Sequence, residues 1–510
     1  MANDGPARRA LIRGVVYARN FPGRVLAVVL AIHLVVWTVI PILVCPNLQL
    51  DLVDDLALGR EWQLGYWKHP PLPWWLAEVF HRLTGSIDSV YVLGPLAAVL
   101  CLYGVYLLAR DIVGPVQALL AVLALEGIHF YNFSVVKFAH DQAQLPFWAF
   151  TALFFHRAVT RQRLFEWALA GFFLAGAFWS KYAAVPLAAT LGLILLFDPA
   201  ARKSWRGAGP WVMAVVFLCV LAPNLWWLVE HDFLPFRYVD ARAKLATHWY
   251  QYLTFPLQWT GGQLLFILPG LALIGLLYVG GRPAVPAASD TADRAAFDRR
   301  YVTALALGPF AVTTLMATVL GRLPIAMWGY PLWSFAPLAL LVWLGPVEQQ
   351  RRLQRFALGF VVAFAAFPIA YAAIELFEPL LRDRPKATQF PGAATAAAIT
   401  GNWQRRFNAA PVYVCGSEFE SNTVSVYSAA HPHVVVHCDP KLSPWIDASD
   451  VRRRGMIVIF DKGLVDAAML DQWRATWGQF DAEPPLQLQR QTLRRSAPIE
   501  VFYAFLPPRP

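Results

Sequence analysis

Residues 25–44 read VLAVVLAIHLVVWTVIPILV and contain no Lys, Arg, Asp or Glu. A helix of about 20 apolar residues is long enough to cross the hydrocarbon core of a bilayer. The whole chain shares this character, since 57% of its 510 residues are hydrophobic and only 15% are charged. Globular proteins carry about 25% charged residues, and disordered chains need low hydrophobicity. The composition therefore excludes both classes and predicts an integral membrane protein.

Further stretches of this kind recur along the chain, and with the first they make about eleven predicted spans. They lie near residues 24–44, 88–109, 113–133, 141–159, 164–181, 183–198, 210–229, 259–280, 301–320, 328–345 and 355–375. The sequence thus predicts an α-helical polytopic membrane protein.

The basic residues predict the orientation of these spans. With a cytoplasmic N-terminus, the inside segments hold 19 Lys and Arg residues, whereas the outside loops hold nine. Cytoplasmic loops of membrane proteins carry such an excess. An odd number of spans then places the chain after about residue 378 outside. The net charge of +10 is accordingly a topology signal and does not indicate nucleic-acid binding.

The segment 378–510 differs in composition from the rest of the chain. It contains three short β-rich runs at 411–415, 433–437 and 456–460, with helical patterns at 394–398 and 464–477. This alternation predicts a soluble α/β domain outside the membrane. Cys415 and Cys438 lie 23 residues apart in it. Disulfides persist in oxidising compartments, but spacing alone leaves their pairing open.

The loop at 46–87 concentrates polar side chains between apolar spans. Asp51, Asp54 and Asp55 follow the spacing of one helical face. Three neighbouring carboxylates repel one another, so solvent, a cation or the donor groups of Arg60 and Lys68 must offset the repulsion. The alternative interpretation is a solvated amphipathic helix on the membrane surface, rich in the aromatic residues that favour that interface.

The order of motifs in this loop resembles the first external loop of the bacterial glycosyltransferase family 39 proteins. These C-type (GT-C) membrane glycosyltransferases include the protein mannosyltransferases and the aminoarabinose transferases of lipid A. The motifs that carry the resemblance are Asp51, Arg60-Glu61, Gly65-Tyr66, His69-Pro70-Pro71-Leu72, His140-Asp141, Ser180-Lys181-Tyr182, Pro223-Asn224, Glu230-His231-Asp232 and Ser443-Pro444-Trp445-Ile446-Asp447. One departure is Leu52, where many relatives carry a Glu.

The resemblance implies a GT-C fold with a catalytic transmembrane domain at 1–377, whose external loops lie at 46–87 and 230–257. Residues 378–510 then form a periplasmic α/β domain. Members of the family take a sugar from a polyprenyl-phosphate carrier in the inner membrane. They pass it, usually with inversion, to a lipid, glycan or protein acceptor at the outer face.

Such a displacement needs a general base near the acceptor and a cation near the leaving phosphate. By its distance from His69-Pro70-Pro71, Asp51 matches the family's first-loop carboxylate, so we assign it as the base, with Asp54 as an alternative or helper. The candidates for holding the donor phosphate are Arg60, Lys68, His69 and Lys181. Asp141 and His231 are further candidates for the same cavity, although Asp141 also suits a helix N-terminus.

No cofactor is required by this chemistry. A divalent metal is compatible with the sequence, because His129, His140 and His231 could converge with the first-loop acids, but no pair has zinc-site spacing. A transporter is disfavoured because no internal repeat is visible. A sensor or scaffold with a ligand-binding outer domain would need only one or two spans.

Overall fold

The protein is described by a computed structural model that covers residues 5–281, 292–382, 386–493 and 498–509. Residues 282–291, which belong to the loop predicted to be cytoplasmic at 282–300, lie outside the described residues. The helices up to the second large external loop are α1 Pro6–Asn20, α2 Pro22–Val44, α3 Leu50–Gly59, α4 Leu72–Thr84, α5 Leu93–Leu125, α6 His140–Ala143, α7 Leu145–Arg161, α8 Leu164–Ser180, α9 Val185–Phe197, α10 Gly209–Glu230 and α11 Leu234–Arg242. The later helices are α12 Gln251–Tyr278, α13 Ala292–Val319, α14 Ala336–Leu344, α15 Gln350–Leu381, α16 Gly392–Phe407, α17 Glu418–Tyr427, α18 Ala448–Arg454 and α19 Ala467–Trp477.

Six of the described helices are long and apolar enough to cross a membrane. They are Pro22–Val44, Ile87–Leu125, Gly209–Glu230, Gln251–Tyr278, Asp293–Val319 and Gln350–Leu381. A seventh span results if Ala326–Trp333 and Ala336–Leu344, which are bent by 46°, are taken together. The chain is therefore a multi-pass membrane protein, as its composition predicted.

Helices lie at all eleven predicted positions, although fewer qualify as spans by length. Two predicted spans are joined in α5, where Gly114 interrupts the helical geometry at φ 77°. A positive φ is accessible to glycine at little cost. Three further predicted spans correspond to the shorter helices α7, α8 and α9.

The segment after α15 contains the predicted sheet. Its strands are β3 Tyr413–Gly416, β4 His433–Val436, β5 Met456–Phe460, β6 Asp481–Ala482, β7 Leu486–Leu488 and β8 Ile499–Leu506, while β1 Lys244–Leu245 and β2 Arg322–Leu323 form a separate pair. Strand β3 pairs in parallel with β4 and β5, and β8 runs antiparallel to β5, β6 and β7. A disulfide joins Cys415 to Cys438.

The two faces of this sheet have different neighbours. One face packs Cys415 and Val458 against Trp473 and Trp477 of α19. The other face belongs to a core that also contains side chains of α16, α17 and the first-loop helices α3 and α4. The loop at 46–87 and the domain after residue 386, which are called the first external loop and the external domain after their predicted orientation, therefore share one hydrophobic core.

Candidate active site

The first external loop folds around the ring of Tyr66. Its hydroxyl donates to the carbonyl oxygen of Leu58 at 2.8 Å, and its backbone N–H donates to the carbonyl oxygen of His69 at 3.1 Å. The neighbouring Gly65 lies directly under Trp227, and a Cβ there would approach the indole to 2.2 Å. Only glycine fits this contact, which holds the loop against the end of α10.

The three acids of α3 occupy different environments. Asp51 is partly exposed, and it has no hydrogen-bond or ion-pair partner within the described residues. Asp54 is buried and accepts hydrogen bonds from Trp74 Nε1 at 3.1 Å and from Asn422 Nδ2 at 3.0 Å. Asp55 is buried with its Oδ2 unpaired within the described part of the chain. The residues from Leu52 to Gly59 are all buried, so α3 is not a solvated surface helix.

Lys68 joins the first loop to the external domain. Its Nζ lies 2.9 Å from Asp54 Oδ2 and donates to Glu418 Oε1. Glu418 Oε2 in turn lies 4.0 Å from His437 Nε2. Since the Lys68 side chain is only 11% exposed, its charge is balanced by neighbouring carboxylates more than by solvent.

Burial sets the protonation of these groups. Desolvation raises the pKa of Asp51 above its ordinary value, against the attraction of Lys68 and Lys137. Desolvation also raises the pKa of Asp55, and the charges of Asp54 and Asp51 add to the increase. Burial and this repulsion therefore both favour the protonated form of Asp55.

The pKa values of Asp54 and Glu418, the two carboxylates next to Lys68, shift in opposite directions. Burial raises the pKa of Asp54 despite the nearby ammonium group. Burial also acts to raise the pKa of Glu418, but the charge of Lys68, its hydrogen bond and the charge of His437 together outweigh burial and lower that pKa. Glu418 therefore remains ionised at neutral pH and helps to balance the charge of Lys68.

A second ion pair lies next to this cluster. Lys181 Nζ, at the end of α8, donates to Asp141 Oδ1 at 2.7 Å, and both side chains are almost buried. The rings of His69 and His140 are tilted by 40° to one another, with 4.1 Å between their centroids. Burial and the charges nearby lower the pKa of His69 well below its ordinary value. His69 therefore offers a hydrogen bond and no positive charge.

The electrostatic neighbours of Asp51 show which candidates lie near one another. Asp51 interacts with both Lys68 and Asp141, and His69 interacts with both Lys68 and Lys181. These five predicted residues, from four chain segments, therefore lie together at one end of the helical bundle.

Two of the predicted site residues are placed beside this cluster. Arg60 donates to the carbonyl oxygen of His431 in the external domain. His231 stacks on Trp227 at 4.2 Å between ring centroids, and its Nδ1 contacts the carbonyl oxygen of Trp227 at 2.8 Å. Neither side chain contacts the first-loop acids in the described structure. Among the described residues, no three His, Cys, Asp or Glu side chains are grouped as a metal site would require.

Several residues that build the site were not predicted from the sequence. They are Trp74, Lys137, Glu418, Asn422 and His437. A signal for two of them is present, because Glu418 and His437 follow the carboxyl ends of the adjacent parallel strands β3 and β4. Ligand-binding side chains of α/β sheets are commonly found at that edge.

The fold has known counterparts. The crystal structure of ArnT from Cupriavidus metallidurans in the apo state superposes with a TM-score of 0.58 at 13% identity, over 94% of this chain and 98% of that chain. The structure of the same protein bound to undecaprenyl phosphate gives the same TM-score at 14% identity, over 94% and 97% of the two chains. This chain has the ArnT fold.

Sequence comparison agrees with the ArnT-like fold. Residues 68–227 match the family model described as dolichyl-phosphate-mannose-protein mannosyltransferase. The lipid A galacturonosyltransferase RgtD of Rhizobium johnstonii is 31% identical over 194 residues, which are 36% of this chain and 38% of that protein. The match spans about two fifths of the length of this curated relative. The resemblance indicated by the first-loop motifs is thus confirmed.

Proposed function

We propose that this protein transfers a sugar from a polyprenyl-phosphate donor to a lipid acceptor at the outer face of the inner membrane. The observation that carries the proposal is the environment of Asp51. It is the one acid of α3 that is partly exposed and without a partner in the described structure, and it lies near Lys68 and near Asp141, the partner of Lys181. A free carboxylate beside buried cations suits a base acting next to a leaving phosphate.

The reaction assigned to this site is a single displacement. The acceptor oxygen attacks the anomeric carbon of the donor, the bond from that carbon to the phosphate oxygen breaks, and configuration inverts. Asp51 accepts the proton of the acceptor hydroxyl. The electron pair of the broken bond leaves on polyprenyl phosphate, whose charge is stabilised by Lys68 and Lys181 and by a hydrogen bond from His69.

The known relatives support a polyprenyl-phosphate donor and a lipid acceptor. One ArnT structure contains undecaprenyl phosphate, and RgtD acts on lipid A. A lipid-linked donor and a lipid acceptor also suit a site on a loop that joins two membrane-spanning helices. Asp54 and Asp141 assist by holding Lys68 and Lys181 in position, at 2.9 Å and 2.7 Å respectively.

Mass spectrometry of envelope glycolipids from cells with and without the gene tests the proposal. We expect one glycolipid to lose a sugar residue when the gene is removed and to regain it with the wild-type gene. The Asp51→Asn gene should fail to restore it. Identical glycolipid profiles with and without the gene would contradict a lipid acceptor.

A further inference from the structure

We infer that Glu418 of the external domain is an internal competitor for the donor phosphate, because its carboxylate occupies the anion-binding position on Lys68. This inference rests on the proposed function, which assigns Lys68 to the donor. It adds a regulatory contact: the external domain must release Lys68 before a phosphate can bind there.

The two carboxylates beside Lys68 already balance its single positive charge. An ammonium group has three N–H donors and carries one positive charge. Here it faces Asp54 at 2.9 Å and also donates to Glu418. A phosphate added to this cluster would meet two carboxylate groups. One of them must move away for the phosphate to gain from the charge of Lys68.

Glu418 is the partner that can leave. Asp54 is fixed by hydrogen bonds from Trp74 and Asn422 and has a side chain only 6% exposed. The Glu418 side chain is 33% exposed and stands on the first residue of α17. Asp54, Glu418 and His437 line the same narrow crevice. Movement of about one rotamer toward His437, now 4.0 Å away, would free Lys68 and give Glu418 a new partner.

The position of Glu418 explains how the external domain would affect donor binding. Helix α17 packs on α3 through the shared core, and Glu418 directly follows strand β3. The contact between Lys68 and Glu418 therefore depends on the packing of the external domain against the first loop. An acceptor that binds at this edge of the sheet could displace Glu418 and so favour donor binding.

The test is a measurement of undecaprenyl phosphate binding to the purified full-length protein in lipid nanodiscs. Glu418→Gln keeps the side-chain shape and removes the competing charge. We expect at least about fivefold tighter binding, because the phosphate no longer has to displace a charge-assisted hydrogen bond from Lys68. Lys68→Gln should weaken binding. The double variant should bind like Lys68→Gln alone, because Glu418 acts only through Lys68. The matched control is Asp471→Asn, which removes an exposed acid of the same domain and should not change binding.

Unchanged or weaker binding by a folded Glu418→Gln protein would overturn the inference. If that variant does not fold, Glu418→Asp decides, because its shorter side chain loses reach to Lys68 and should also tighten binding; unchanged affinity overturns the inference. Failure of the proposed function gives a different pattern. In that case wild type itself would not bind undecaprenyl phosphate, and Lys68→Gln would have no effect.

Discussion

Asn422 of the external domain donates a hydrogen bond of 3.0 Å to Asp54 of the first loop, across 368 residues of sequence. Both side chains are buried. Because Asp54 also contacts Lys68, this bond links the folding of the external domain to the geometry of the candidate active site. A domain that looks separate in sequence is thus part of the structure that holds the site.

The first prediction is that Asn422→Ala destabilises the protein. The substitution leaves a buried carboxylate oxygen without its donor, at a cost of about 1–3 kcal/mol. The apparent Tm of the purified protein in detergent should fall. Gln487→Ala is the control, because Gln487 is exposed and bonded to Glu500 at the surface. Equal Tm values for the two variants would show that the Asn422 bond does not couple the domains.

A second prediction concerns Glu420 of α17, which is half-buried and whose Oε2 atom is shielded from solvent and unpaired within the described residues. Burial, with repulsion from Asp461, raises the pKa of Glu420 from 4.5 to about 7. The folded state therefore binds this proton more tightly than the unfolded state, so stability is full below pH 4.5 and declines as the pH rises through about 7. Glu420→Gln should raise the Tm at pH 8 and leave it nearly unchanged at pH 5. A Tm difference that is the same at both pH values would contradict this.

A third prediction is the orientation that the basic residues indicate. A Cys placed at Ser449, which is exposed in the external domain, should react with a membrane-impermeant reagent in intact cells. A Cys at Asp293, exposed at the start of α13, should react only after the cells are opened. The native exposed Cys219 is replaced by Ser in both. The reverse labelling pattern would show that the orientation in the membrane is the opposite of the predicted one.

Local patterns in the sequence predicted much of this fold. Runs of apolar residues located all eleven helical positions, and β-rich runs located the strands β3, β4 and β5. The spacing of the acids predicted α3. These features depend on neighbours within one or two helical turns, and a single sequence displays them directly.

The partners of the acids could not be read in the same way. Lys68 meets Glu418 from 350 residues away, and no local pattern records such a pairing. The burial of α3 was missed for the same reason, since its cover is α17 of the external domain. The sequence therefore indicated the candidate acids, while the structure was needed to separate the partly exposed Asp51 from the hydrogen-bonded Asp54 and the buried Asp55.

A fourth prediction follows from the raised pKa of Asp51. A general base must be unprotonated, so transfer should decline as the pH falls through a value above the ordinary 3.8 of an aspartate. The measurement is the pH profile of single-turnover transfer, with each sample returned to neutral pH to verify that activity recovers. Full transfer down to pH 3.8 would exclude Asp51 as the base.

The last prediction is that Asp51 is the essential carboxylate. Asp51→Asn should reduce transfer by about 100- to 10,000-fold, the usual cost of removing a general base. Expression and Tm should stay near wild type, because Asp51 has no hydrogen-bond partner to lose within the described residues. Asp55→Asn is the matched control: Asp55 lies on the same helix, and burial with the neighbouring charges raises its pKa. This favours the protonated form, which Asn resembles, so the variant should keep most of the activity.

Asp54→Asn distinguishes the two carboxylates that were candidates for the base. Since Asp54 is fixed by Trp74, Asn422 and Lys68, its loss should lower stability together with activity. A loss of activity that parallels the loss of folded protein would identify Asp54 as a positioning residue. If Asp51→Asn kept more than about a tenth of wild-type transfer while fully folded Asp54→Asn lost it all, the base would be Asp54, one helical turn along α3.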